Sequence, residues 1–496
     1  MSARELPARP NIEQYKKQAK DLVKARKAGD PAALARVREH HPRFGTIPDA
    51  ELQRAAFALA DAQFVIAREH GFESWPKFVK QIEATSEQPP PDKIWRLAEQ
   101  AVVDGDADTL DTLLREHGDM LRTGPVQSTW WGGLTPSYSE RDARAIIVRE
   151  HFFENWEQFA AYAEALKDPR SPVAQFEAAV EAITTGDLPA LERLLQANPA
   201  LPQARSTRTH AATLLHYVGA NGVEGFRQRT PKNAVNVAEL LLDRGADVDA
   251  MASMYGGSNT LGLVATSIHP VTAGVQDELM ALLLSRGASV GDAKGDAAWS
   301  SLINSCHANG RPAAAEFLAK RAGSLDLEAA AGIGRLDLVE RFFNANGTLR
   351  GDATVEQMKN GFTWACEYGR TEVVDFLLRK GMDVGAKLRH HGQTGLHWAA
   401  YVGHASTVKV LLDRRAPINA RDEAFNGTAL GWALYAWGGG GPNAGSSRYY
   451  DVVRLLVDAG GTVDEAWLAE SDRGFALAKQ IREDDRMRAI ALAAIR

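Results

Sequence analysis

Apolar residues recur through most of the chain at i, i+3, i+4 spacing, the period of an amphipathic helix. From about Val173 onward the pattern arrives in pairs. A short segment such as Leu396-His397-Trp398-Ala399-Ala400 ends at Gly403. A second follows, with Val408, Leu411 and Leu412 on one face. The same order returns at Leu214-Leu215-His216-Tyr217 before Ala238–Asp243, and at Phe362-Thr363-Trp364 before Val373–Leu378. It returns again at Leu430-Gly431-Trp432 before Val452–Val457. Weaker units lie at Ala298–Gly323 and Leu325–Leu349, and Val173–Asn198 reads as a first, capping pair. Gly245, Gly287 and Gly381 follow second helices, where a left-handed residue ends a helix cheaply. One such pair cannot bury its apolar face alone, whereas stacked pairs share a continuous core.

The unit Thr394-Gly395-Leu396-His397-Trp398-Ala399-Ala400-Tyr401-Val402-Gly403-His404, with Val408, Leu411 and Leu412 behind it, closely resembles the ankyrin repeat. Gly395 stands where that repeat usually carries proline. The resemblance covers roughly residues 172–464 and implies an all-α, ankyrin-repeat solenoid of helix-turn-helix units joined by hairpins. Residues 465–496, with Leu477, Ile481, Met487 and Ile490, read as a C-terminal helical cap.

A different duplication precedes the array. Arg68-Glu69-His70-Gly71-Phe72-Glu73-Ser74-Trp75 returns as Arg149-Glu150-His151-Phe152-Phe153-Glu154-Asn155-Trp156. Ala62, Val65 and Ile66 match Ala143, Ile146 and Ile147 at the same offset. Each copy predicts a helix ending near its histidine, a turn, and a new helix capped by Ser74 or Asn155. Gly29-Asp30 and Gly105-Asp106 mark helix-to-helix turns ahead of each copy, and Gly186-Asp187 repeats that turn in the array. Prolines 89–91 and the run Asp168-Pro169-Arg170-Ser171-Pro172 act as linkers. The sequence therefore predicts two helical modules at residues 1–84 and 92–167, the array at 172–464 and the cap at 465–496. These N-terminal segments resemble parts of bacterial ankyrin proteins, a likeness that implies no activity. His70 and His151, each beside a tryptophan, are expected to pack at helix ends.

Composition narrows the function classes. The 496 residues carry a net charge of −6 without a long run of one sign, so nucleic acid is not an expected partner. The lysines Lys16, Lys20, Lys24 and Lys27 fall along one helix face and read as solvated. Met1–Pro10 has no apolar core of a signal peptide, and no stretch approaches the ~18 apolar residues of a membrane span. Two cysteines, Cys306 and Cys366, make neither a disulfide framework nor a thiolate zinc site. The expected compartment is the cytoplasm, with no metal and no cofactor.

Candidate chemistry comes from register. Aligned on the glycine that ends each first helix, Tyr217, Trp364, Trp398 and Trp432 form one column. Glu367, Tyr401 and Tyr435 form a second, with Tyr368 beside them. The resemblance implies that first helices line the concave groove. Aromatic side chains there offer contact area at low entropic cost. Packing is the competing reading for the tryptophan column, and a turn-fixing role is expected for His216 and His397. Three helix-to-helix joins are lengthened, at Asn221–Asn233, His269–Gly274 and Gly438–Tyr449. They are expected to project from one edge and to present Asn221, Glu224, Arg227 and His269. The glycine-rich hairpin at Tyr255 adds a further contact. No phosphate-loop, zinc-protease or nucleophile-elbow motif occurs. The sequence thus predicts a binding protein that recognises a partner protein through groove and loops. The competing reading is a small-molecule pocket, with or without catalysis, bounded by the same loops.

Overall fold

The computed structural model describes residues 12–79, 91–123, 142–290, 296–463, 472–491 and 494. Its described residues are mostly helical, and their only β-pairings are isolated bridges. No helix among them is long and apolar enough to cross a membrane. The chain divides into two compact units, with the main division between Ala143 and Arg144.

In the first unit, helices Ile12–Ala28, Pro31–His40 and Leu59–Glu69 close over Leu22, Leu34, Val65 and Ile66. Gly29 takes φ 78°, and the Asp30 carboxylate accepts from the Ala33 amide at 2.9 Å, so the turn ends one helix and starts the next. His70 stacks on Phe78 at 5.3 Å between ring centres, with Tyr15 edge-on to both. Helices Pro91–Asp104 and Ala107–Thr123 repeat the device, with Gly105 at φ 69° and Asp106 capping Thr109 at 3.0 Å.

The second unit contains eight helix pairs among its described residues. The first helices of the pairs run Pro172–Thr185, Leu214–Gly219 (a 3-10 segment), Thr260–Thr266, Asp296–Ala308, Leu327–Gly332, Val355–Glu367, Gly395–Val402 and Ala429–Tyr435. Each packs on its successor, and the second helices, from Leu188–Ala197 to Arg448–Asp458, form a parallel second row. Small residues make the close approach. A Cβ on Gly395 would meet Cys366 Sγ at 2.8 Å and Phe362 at 2.9 Å. The Thr394 amide donates to His397 Nδ1 at 3.1 Å, the Thr394 hydroxyl lies 2.9 Å from the same nitrogen, and the His397 ring reaches the Gly427 carbonyl at 3.2 Å, tying one repeat to the next hairpin. Thr213 and His216 make the same turn. Helices Asp472–Glu483 and Asp485–Ala491 extend the last core with Leu477, Ile481 and Met487.

The segment from Arg144 to Leu166 packs with the first repeats. Thr209 donates its amide (2.8 Å) and hydroxyl (3.1 Å) to the Phe152 carbonyl. Phe152 sits at φ 59°, where the first copy has Gly71 at φ 83°. That left-handed backbone costs a bulky residue energy, which the two hydrogen bonds and ring contact with His210 at 5.3 Å offset. The Asp168–Pro172 linker therefore separates two sequence patterns, while compactness divides the chain earlier.

Candidate functional site

The first lengthened join does not project. Val223 and Glu224 are fully buried, and Gly225–Arg227 forms one 3-10 turn. The cause is charge. Arg208 comes from the hairpin after the first pair and has no exposed side-chain surface. It forms ion pairs with Glu177 and Glu224 and donates to the Tyr162 hydroxyl at 2.8 Å. Arg227 pairs with Glu177 as well, and Tyr217 donates to Glu224 at 3.4 Å. Burial alone would raise the Glu224 carboxyl, but Arg208 and Arg227 hold it well below the usual carboxylate range. Burial pushes the Tyr162 hydroxyl up to about 12, keeping it a neutral donor and acceptor. The expectation that Tyr217, Glu224 and Arg227 face a partner is corrected accordingly. Tyr217 and Glu224 are wholly buried, and Arg227 is spent on acids in the core. Sequence spacing could not show this, because the four charges come from three separate segments.

The two other joins keep exposed residues, Val271, Thr272 and Gly274 in one and Gly439, Pro442 and Ala444 in the other, and are anchored at one end. Tyr449 is buried and donates to the Tyr401 carbonyl at 2.7 Å. His269 begins a short helix, half-buried, with its imidazole held below its ordinary range by burial and by Arg311.

The aromatic columns split between core and surface. Trp364 is buried, and its indole donates to Glu328 at 2.9 Å, so it too is corrected from contact residue to packing. Tyr368 donates to the His307 carbonyl and stacks near Trp364 at 6.4 Å. Trp398, Tyr401 and Trp432 are half-buried and meet edge-to-face at 5.5 to 6.4 Å. Trp432 donates to Asp422 at 3.0 Å and Tyr401 to the Gly440 carbonyl at 2.8 Å, which fixes both rings. Tyr435 is half-buried and packs on Gly440. Phe425, in the hairpin before the last pair, lies 6.2 Å from Trp432 and is 64% exposed. Sequence reading missed Phe425. Its signal was a lone aromatic in an otherwise polar hairpin.

A cavity of about 410 Å³ opens between the first helices of the third and fourth pairs. Asn221 and Tyr255 line it, together with Thr266, Ser301, Ser305 and Asn309, and its lining carries no charge. Tyr255 is 56% exposed, takes φ 54°, and donates across the opening to Asn221 at 2.8 Å. The cavity exists because this stretch carries Thr266 and Ser305 where later repeats have rings.

A family model of ankyrin repeats (three copies) matches residues 327–422 and 362–466. Among solved structures, the human ASB11 ankyrin repeat domain is 22% identical, covering 59% of this chain and 100% of that domain, at a TM-score of 0.29. No curated protein matches. Ankyrin repeats are in general protein–protein interaction modules. From its stacked helix pairs and the match over residues 327–466, the chain carries ankyrin repeats.

Proposed function

We propose that the chain holds a partner protein on the first-helix row and hairpins of its last repeats. The observation that carries this is the ring cluster Trp398, Tyr401 and Trp432 with Phe425 exposed beside it. Asp422 and the Gly440 carbonyl hold two of those rings in place before any partner arrives. Little side-chain entropy is then lost on binding, which is the advantage of a preorganised surface. A half-buried aromatic group with an exposed crown also matches the usual make-up of an interaction hot spot. The test is capture of a stoichiometric partner by the full chain and by its Phe425→Ala form. Truncation at a hot spot costs about 2 kcal/mol or more, so binding should weaken roughly thirtyfold. Equal capture by both proteins would sink the proposal.

The uncharged cavity at Asn221 and Tyr255 favours a second reading, a small polar ligand held between the third and fourth pairs. A thermal-shift screen against metabolite pools addresses it. A stabilisation abolished by Tyr255→Ala supports it, and a flat response across the pools removes it.

A further inference from the structure

The cavity between the third and fourth pairs has a lining that narrows what it can hold. Its volume of about 410 Å³ falls within the roughly 300–1,000 Å³ usual for small-molecule sites. None of the described residues that line it is charged. An ion drawn in would lose hydration without a counter-charge to replace it, so the lining favours a neutral guest.

One wall is a helix face. Ser301 and Ser305 of Asp296–Ala308 and Asn309 just beyond it recur every four residues, so they share one side. The Ser301 hydroxyl forms no hydrogen bond with a described residue. The Ser305 hydroxyl donates to the Ser301 carbonyl at 2.9 Å, which leaves its lone pairs to accept. The Asn309 side-chain amide donates one hydrogen to the Ser305 carbonyl at 2.9 Å and keeps its second hydrogen and its oxygen. Across the space, Asn221 accepts from Tyr255 and donates one hydrogen to Thr266 at 3.1 Å, with a second left over. Donors and acceptors thus line the same space, which suits groups that do both, as hydroxyls do. Leu263, Val290 and Leu302 add apolar lining.

The mouth carries an aromatic face. Tyr255 at φ 54° is followed by Gly256 at φ 83° and Gly257 at φ 123°. A left-handed backbone costs a tyrosine energy, and such strain tends to collect at ligand clamps. Gly222, at φ 71°, makes room for the ring, because a Cβ there would meet Met254 at 2.7 Å and Tyr255 at 3.0 Å. In the sixth and seventh pairs Trp364 and Trp398 stand at the register of Ser305.

We infer that this cavity binds a neutral, hydroxyl-rich ring, a monosaccharide or cyclic polyol. Its hydroxyls meet Ser301, Ser305, Asn309 and Asn221, and its C–H face lies against Tyr255. The inference rests on the small-ligand reading above and names the chemistry of that ligand.

The experiment is saturation-transfer NMR on the full chain, with D-glucose, D-galactose, D-mannose and myo-inositol as probes at millimolar concentration. Glucose 6-phosphate, which adds charge, and cyclohexanol, which keeps the ring but only one hydroxyl, are the controls. At least one probe should receive magnetisation at its ring protons, and both controls should bind about tenfold more weakly or worse. Ser305→Trp, which restores the ring found at that register in later pairs, should abolish binding. Ser301→Ala combined with Asn309→Ala, both at exposed positions, should weaken it about tenfold. Tyr255→Ala should weaken it more than Tyr255→Phe, which keeps the aromatic face. Silence from all four probes, equal binding of cyclohexanol, or binding that survives Ser305→Trp unchanged would each overturn the inference. If the metabolite pools stabilise the chain through Tyr255 while the four probes stay silent, the sugar class falls and the small-ligand reading stands. If pools and probes are both without effect, both fall.

Discussion

At the scale of single residues, burial decides what a charged group can do. Glu224 and Glu367 are both carboxylates on or beside the repeat array, and they shift in opposite directions. Glu224 has Arg208, His210 and Arg227 beside it, whereas burial dominates at Glu367, which forms no ion pair with a described residue. The signs follow from linkage. Glu224 is depressed below its unfolded value near 4.5, so its stabilisation is present above that pH and is lost as pH falls. Glu224→Gln should therefore be destabilised most at neutral pH, by about 3–5 kcal/mol, because Arg208 is left buried without that acid. The gap to wild type should narrow in acid, as read by urea melts between pH 3 and 7. Equal destabilisation across that range would show that shape and not charge sets the effect. Glu367 carries the reverse sign, since its folded value near 7 lies above the unfolded 4.5. The folded state holds the proton longer, so this group contributes a loss of stability as pH rises from about 4.5 to about 7. Glu367→Gln should gain on wild type over that window in the same melts.

At the scale of the element, the helix pairs were legible because their period and punctuation agree. His216 and His397 fix their turns with the preceding threonines as the repeat pattern implies. The caps Asp30, Asn155 and Asp187 each accept from the amide three residues on. The small first-helix residues carry a packing role that can be checked. Gly395 has an ordinary helical backbone, so Gly395→Ala tests contact alone. Its methyl would press on Cys366 and Phe362, and overpacking of this kind costs about 1–3 kcal/mol. Calorimetry should show a lower Tm, and no change would mean that neighbouring first helices can part freely. The lengthened joins were less legible. Their composition reads as solvated loop, yet Asn221–Asn233 turns inward because Glu224 and Arg227 find opposite charges contributed by Arg208 and Glu177. Phe152 likewise breaks the glycine pattern of its copy, and only its docking on Thr209 explains how.

At the scale of the molecule, the chain places its two thiols deep in the two stacked cores. Burial pushes Cys306 up to about 12 and Cys366 well above its ordinary value. Neither should react with a disulfide reagent at pH 8 in the native state, and both should react on unfolding. Rapid native labelling of either would mean that its repeats open locally. The helical class, the tandem pairs and their approximate limits follow from the sequence alone, because amphipathic period and turn chemistry are local properties that repeat along the chain. The fate of the functional candidates was decided by tertiary structure. Tyr217, Glu224 and Trp364 went to the core, while Phe425 and Tyr255 were left at the surface. Burial and ion pairing depend on residues brought together from distant segments, and no window along the sequence contains both partners.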